Sequence, residues 1–257
     1  PGHAAELFWF DGPGRDGVRM LCLPVGFERT DPAIAPWLAA RGATVDGAAR
    51  SSEPERPPYR GLAAFTRDDA DLFVGREKQA ESFANRLRIA SLLTVAGPSG
   101  AGKSSFVQAG VLPLLGSSWT LVTARPGSSP LQALRDALRA AGVDLGSGAD
   151  SHSHDDVVHA VMTHAADQQR RVLVFIDQFE ELFTLCHDAG ERQRFVDALL
   201  ALAGEVDAPI RVVVTVRDDF LIRCQQVPRL RDRLAGSLEL LATPTADDLR
   251  RILTAPI

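Results

Sequence analysis

Lysine is almost missing from this chain: of its 28 lysine and arginine residues, only Lys78 and Lys103 are lysines. Acidic residues number 33, so the net charge is −5, and the sequence offers no general electrostatic attraction for nucleic acid or an anionic membrane. Cysteine is equally sparse. Cys22, Cys186 and Cys224 are odd in number, far apart and in no metal-ligand spacing, which excludes a disulfide framework and reads as reduced thiols in a cytoplasmic protein. No apolar run approaches the ~18 residues of a membrane span. The opening Pro1-Gly2-His3 lacks a basic stretch followed by an apolar one, so no secretory leader is expected; it also lacks Met, and the natural start is expected upstream. What is present is globular: 257 residues, 45 % hydrophobic and 24 % charged, enough for one large domain and a fragment.

One of the two lysines falls in Val95-Ala96-Gly97-Pro98-Ser99-Gly100-Ala101-Gly102-Lys103-Ser104-Ser105, which fits the pattern G-x-x-x-x-G-K-[ST]. An apolar segment of strand length, residues 91–96, precedes it. Phe106, Val107, Gly110, Val111 and Leu114 follow at helical spacing. In a strand, loop and helix arrangement the glycines let backbone N–H groups close around phosphate oxygens, and the new helix points its positive end at them. Lys103 adds a compact cation, and Ser104 offers its hydroxyl to a magnesium ion bridging the outer phosphates. The stretch therefore predicts a nucleoside triphosphate with Mg2+ held by Gly97, Pro98, Ser99, Gly100, Ala101, Gly102, Lys103, Ser104 and Ser105.

Along the rest of the chain strands and helices alternate. Two apolar patches, Leu7-Phe8-Trp9-Phe10 and residues 20–25, flank a turn signal at 11–14 and read as strands, with a helical stretch at 35–40. Residues 1–45 are expected to be the tail of a larger N-terminal domain and 46–58 a linker rich in Pro, Ser and charge, leaving 59–257 as the nucleotide-binding domain. Strands are expected at 119–124, 171–176, 210–217 and 238–242. Helices are expected after Ser129-Pro130, after Asp155-Asp156 with Val157, Val158, Val161 and Met162 inward, and over 191–203. The expected fold is α/β: a doubly wound, mainly parallel sheet of about five strands flanked by helices, with ligands at the strands' carboxyl ends.

Two strand ends carry candidate chemistry. Asp177 closes the nearly continuous apolar run 171–176, where a buried carboxylate needs a cation, and magnesium supplies one. Glu180 and Glu181 lie just beyond; either is a candidate to orient the water that attacks a triphosphate. Arg217 ends a strand expected beside the phosphate-loop strand, from which it reaches toward a gamma phosphate.

Residues 72–77 (Leu-Phe-Val-Gly-Arg-Glu), the phosphate loop, residues 174–183 (Val-Phe-Ile-Asp-Gln-Phe-Glu-Glu-Leu-Phe) and residues 213–218 (Val-Val-Thr-Val-Arg-Asp) together resemble a bacterial STAND-class P-loop NTPase. The resemblance covers about 57–257. It implies a slowly hydrolysing, ATP-dependent signalling switch of the AAA+ kind, similar to NACHT and NB-ARC domains, with Val74, Gly75 and Arg76 framing the adenine. Such a switch is a homo-oligomer when activated, in signal transduction or antiphage defence, with the trigger sensed by a C-terminal lid and repeat region lying beyond Ile257. Where ordinary AAA+ proteins place a glutamate directly after the strand aspartate, this chain has Gln178. Residues 19–38 are loosely similar to the end of a TIR domain. Two other readings remain open from the loop alone: a small-molecule kinase, and a nucleotide-binding scaffold that does not hydrolyse.

Overall fold

The computed structural model describes residues 63–146, 154–204, 208–234 and 236–254, together with two short strands, Phe8–Phe10 (β1) and Met20–Cys22 (β2). Contacts divide the chain into two units, Pro1–Arg56 and Pro57–Ile257. In the first, β1 and β2 pair antiparallel, Trp9 opposite Leu21. The helical stretch at 35–40 and the linker at 46–58 lie outside the described residues, as does the TIR-like stretch except for Met20–Cys22.

The second unit is built on five strands: Leu92–Gly97 (β3), Trp119–Ala124 (β4), Arg171–Ile176 (β5), Ile210–Arg217 (β6) and Leu238–Leu240 (β7). Their order is β4-β5-β6-β3-β7, and every pairing is parallel. β5 shows why such apolar runs become central strands. Val172, Val174 and Ile176 face one hydrophobic cluster while Leu173 and Phe175 face another, so both faces need apolar side chains.

The first face is covered by helices α3 (Pro130–Ala140), α4 (His154–Asp167) and α6 (Ala189–Leu202), through Leu134, Leu138, Val157, Val161, Phe195 and Leu199. The opposite face receives Phe83 and Leu87 of helix α1 (Glu77–Leu87), and Phe106 and Val111 of helix α2. α2 runs through Lys103–Ser105, a wider π-type stretch Phe106–Val111, and Leu112–Leu115. Phe83 and Phe106 meet edge to face at 5.6 Å and join α1 to α2.

In α4 the expected inward set changes. Val157, Val161 and Ala165 are buried, Val158 is half-buried, and Met162 is 38 % exposed. The stripe steps by four, so the third inward place falls to Ala165, and Met162 turns to the helix flank. α6 starts where the Asp188 carboxylate accepts hydrogen bonds from Gly190 N and Glu191 N at 2.7 and 3.2 Å, an N-cap that fixes its first turn. Cys186 and Cys224 are buried free thiols, and burial pushes the Cys224 thiol up to about 12. No helix among the described residues is long and apolar enough to cross a membrane.

Where β3 ends, the chain leaves the sheet against its neighbour. Leu241 N donates to Ala96 O at 2.7 Å, and a Cβ added to Gly97 would stand 2.3 Å from the Leu241 carbonyl oxygen. Only glycine fits this close approach of two backbones. Gly97→Ala is expected to cost about 1–3 kcal/mol through overpacking, a fall in melting temperature of roughly 2–4 °C per kcal/mol for a domain of this size. Differential scanning calorimetry checks this; an unchanged melting temperature contradicts the fit.

Candidate functional site

All the expected chemical groups that the sheet positions lie at its carboxyl end, because parallel strands deliver their following loops to one edge. β3 turns into the phosphate loop, where Ala101 N donates to Pro98 O at 3.2 Å. Gly102 sits at φ +80°, a left-handed conformation that costs glycine nothing and starts α2 with its first amide groups facing the loop. The Lys103 ammonium bends over the loop and donates to Gly97 O and Pro98 O at 2.8 and 2.9 Å. Partial burial lowers its pKa from the ordinary lysine value, and the carboxylates of Glu180, Asp218 and Asp177 oppose that shift.

Asp177, 1 % exposed, is the centre of the site. Its backbone N donates to Ala124 O at 2.9 Å, fixing it beside the end of β4. Its Oδ1 accepts from Ser104 Oγ at 2.6 Å and from Thr215 Oγ1 at 2.7 Å, and its Oδ2 accepts from Arg125 Nη2 at 3.1 Å. Three elements, α2, β6 and the end of β4, therefore converge on one carboxylate. Ser104 Oγ and Asp177 Oδ1 are adjacent hard oxygen donors, so the pair fits a magnesium ion.

The next residue turns the chain sharply. Gln178 has φ +57°, uncommon for a residue with a side chain, and its N–H donates to Thr215 Oγ1 at 2.9 Å. This turn sends Phe179 into the core and separates the two glutamates. Glu180 enters the cleft, where its Oε2 accepts from Arg217 N at 3.2 Å. Glu181 opens the short helix α5 (Glu181–Thr184) and points the other way, its Oε2 accepting from Gly127 N at 3.1 Å.

Arg217 stands directly beside Gly97 in the β3–β6 register. Its guanidinium forms a two-pronged bond to Asp219, Nε to Oδ1 at 3.1 Å and Nη2 to Oδ2 at 2.7 Å. One cleft of about 430 Å³ is lined by Ser99, Gly100, Gly102, Lys103, Ser104 and Ser105 of the loop, and by Arg125, Gln178, Glu180, Thr215 and Arg217. Its remaining wall is Ala63, Ala64 and Phe65, with Phe65 N donating to Ser105 Oγ at 3.0 Å.

Val74, Gly75 and Arg76 are not among the residues lining this cleft. They lead into α1, with Arg76 Nη2 on Ala242 O at 2.6 Å and Gly75 against Ile252 of helix α9 (Ala246–Thr254); the helices between β6 and β7 are α7 (Leu221–Gln225) and α8 (Pro228–Leu234). Sequence reasoning missed Thr215 and Arg125. Their one available signal was position, at or just beyond the carboxyl ends of strands.

A parallel sheet in which β6 separates the phosphate-loop strand from the aspartate strand, with a G-x-x-x-x-G-K-[ST] loop facing that aspartate, defines a P-loop NTPase. Over residues 58–257 the chain matches the family described as Novel STAND NTPase 1, and it belongs to that family. None of the curated proteins compared with it matches. Among solved structures it is similar to the Aeropyrum pernix ORC2 protein in its ADPNP-ADP complexes, at 15 % identity and TM-score 0.57, covering 70 % of this chain and 51 % of that one. The ADP form of the same protein gives 14 % and 0.53 over 78 % and 54 %. Cdc6p from Pyrobaculum aerophilum gives 15 % and 0.50 over 74 % and 53 %. The chain thus spans about half the length of these structures, and the likeness is one of fold.

Thr215 carries a local prediction. Thr215→Val keeps the shape but removes a donor to Asp177 and the acceptor for Gln178 N–H, for an expected loss of about 1–3 kcal/mol. Urea denaturation measures it, with Thr215→Ser expected to keep most of the stability. Equal stability of the valine variant and the parent contradicts the bridging role.

Proposed function

We propose that this chain is an ATP-operated switch: it binds ATP with magnesium in the loop formed by residues 97–105, hydrolyses it slowly, and couples its occupancy to self-association in signal transduction or antiphage defence. The observation that carries this reading is the convergence of Lys103, Ser104, Glu180 and Arg217 on one cleft, with the buried Asp177 accepting a hydrogen bond from Ser104 behind its lining. The volume lies within the range of ordinary small-ligand pockets. The assembly and signalling steps rest on the resemblance to STAND proteins.

Each residue has a task that follows from its position. The loop amides and Lys103 hold the inner and outer phosphates; Ser104 and Asp177 hold the magnesium ion, which when bound neutralises phosphate charge. Glu180 is the carboxylate that orients the attacking water, since it faces the cleft while Glu181 serves Gly127. Arg217 reports the gamma phosphate by exchanging Asp219 for phosphate oxygens. ADP leaves that exchange unrewarded, and only such a difference in affinity shifts a conformational equilibrium. Val74, Gly75 and Arg76 frame the adenine from the side of α9, a placement supported by the chain of contacts from Arg76 to Ala242 and from Leu241 to Ala96.

Single-turnover hydrolysis of radiolabelled ATP tests the catalytic assignment. Glu180→Gln is expected to slow hydrolysis by about a hundredfold or more while retaining bound ATP. Hydrolysis at the parental rate in that variant would remove Glu180 from the role. A parent chain that binds ATP and never hydrolyses it would support the scaffold reading instead.

A further inference from the structure

Arg125 is a cation of the cleft that the phosphate loop, the aspartate strand and the β6 arginine leave unused. It follows the last residue of β4 and lines the cleft with Lys103, Ser104, Glu180 and Arg217. Its ion pair with Asp177 is lopsided: the carboxylate side chain is 1 % exposed and the guanidinium side chain 55 % exposed. Only Nη2 is engaged, at 3.1 Å, and Arg125 has no other hydrogen-bond partner among the described residues. A guanidinium carries five N–H donors in a rigid fork suited to phosphate oxygens, so most of its donors are available to the cleft.

The backbone that presents Arg125 is constrained on both sides. Pro126 restricts the conformation of the residue before it, and the Gly127 N–H is held by Glu181 Oε2 at 3.1 Å. The second glutamate of the Gln178-Phe179-Glu180-Glu181 stretch is thereby tied to the turn that carries the arginine. Asp177 is then shared among Arg125, Ser104 and Thr215. A divalent ion placed on the Ser104–Asp177 pair puts a second cation on that carboxylate, and charge repulsion favours moving the guanidinium onto an anion within reach.

We infer that Arg125 is a phosphate-binding residue acting in cis, contacting the terminal phosphate of a bound nucleoside triphosphate, and that Glu181 is the positioning residue that holds its turn. This rests on the nucleotide-site reading above and adds to it a specificity determinant for triphosphate over diphosphate, on the opposite side of Asp177 from Arg217.

The test is equilibrium titration of the purified chain with a non-hydrolysable ATP analogue and with ADP, each with magnesium. Arg125→Ala is expected to weaken the analogue about tenfold to a hundredfold, the range for a lost charge-assisted contact, and to change ADP affinity little. Arg125→Lys, which keeps the charge and loses the fork, falls between. Glu181→Ala reproduces part of the selective loss, and Glu181→Gln restores it because the amide oxygen still accepts the Gly127 N–H. Equal loss for both nucleotides would show that Arg125 acts only through Asp177 and overturns the proposal, as does no loss for either. If the parent binds neither nucleotide, the underlying site reading falls and takes this inference with it; a parent that binds both while the Arg125 variants do not discriminate removes this inference alone.

Discussion

A carboxylate taken out of water is tolerated only when its charge and lone pairs are matched, and Asp177 meets that demand with groups from three separate parts of the chain. Ser104 comes from the phosphate loop, Thr215 from β6 and Arg125 from the end of β4. The remaining geometry follows from satisfying it. The Thr215 hydroxyl that serves the carboxylate also accepts the Gln178 N–H, which holds the chain in the left-handed turn that delivers Glu180 to the cleft and Phe179 to the core. One buried negative charge thus sets the relation between the loop, the strand that carries the candidate base and the strand that carries Arg217.

The cations of the cleft share a second property. Lys103 rests on two loop carbonyls, Arg217 on Asp219 and Arg125 on Asp177. On the proposed reading, phosphate binding there exchanges partners wherever a donor is already engaged, and each such contact is worth the difference between phosphate oxygen and the protein acceptor it replaces. Such an exchange is weaker than the sum of its contacts. On the same reading it is also selective, because the Arg217 fork that holds Asp219 favours an anion able to occupy the same planar donors. A switch of the proposed kind, set by the difference between ATP and ADP, gains more from such selectivity than from raw affinity.

Most of the sheet is legible in the amino-acid sequence because central parallel strands announce themselves. Residues 172–176 and 210–216 are buried on both faces and so cannot alternate, and their largely apolar runs have strand length. The loop at 97–105 was legible for another reason, since its chemistry demands glycine, lysine and serine at fixed spacing. Contacts between distant strands were not. Nothing in Thr215 or Arg125 as residue types marks them as partners of Asp177; the pairing exists only after β4, β5 and β6 are placed side by side. Glu180 and Glu181 were equivalent on paper because their separation depends on the backbone turn at Gln178, which a side-chain pattern does not encode. Met162 was misplaced for a simpler reason: an inward stripe that steps by four selects Ala165, and small residues carry little weight in an apolar pattern.

Every proposed role at the cleft depends on residues 97–105 holding the phosphates of a nucleotide through the lysine that this arginine-rich chain keeps there. Calorimetric titration of magnesium ATP into the parent and into Lys103→Ala tests this most directly. Loss of about 1.5–3 kcal/mol, a tenfold to hundredfold weaker dissociation constant, is the predicted result. Equal affinity in the two proteins would contradict it.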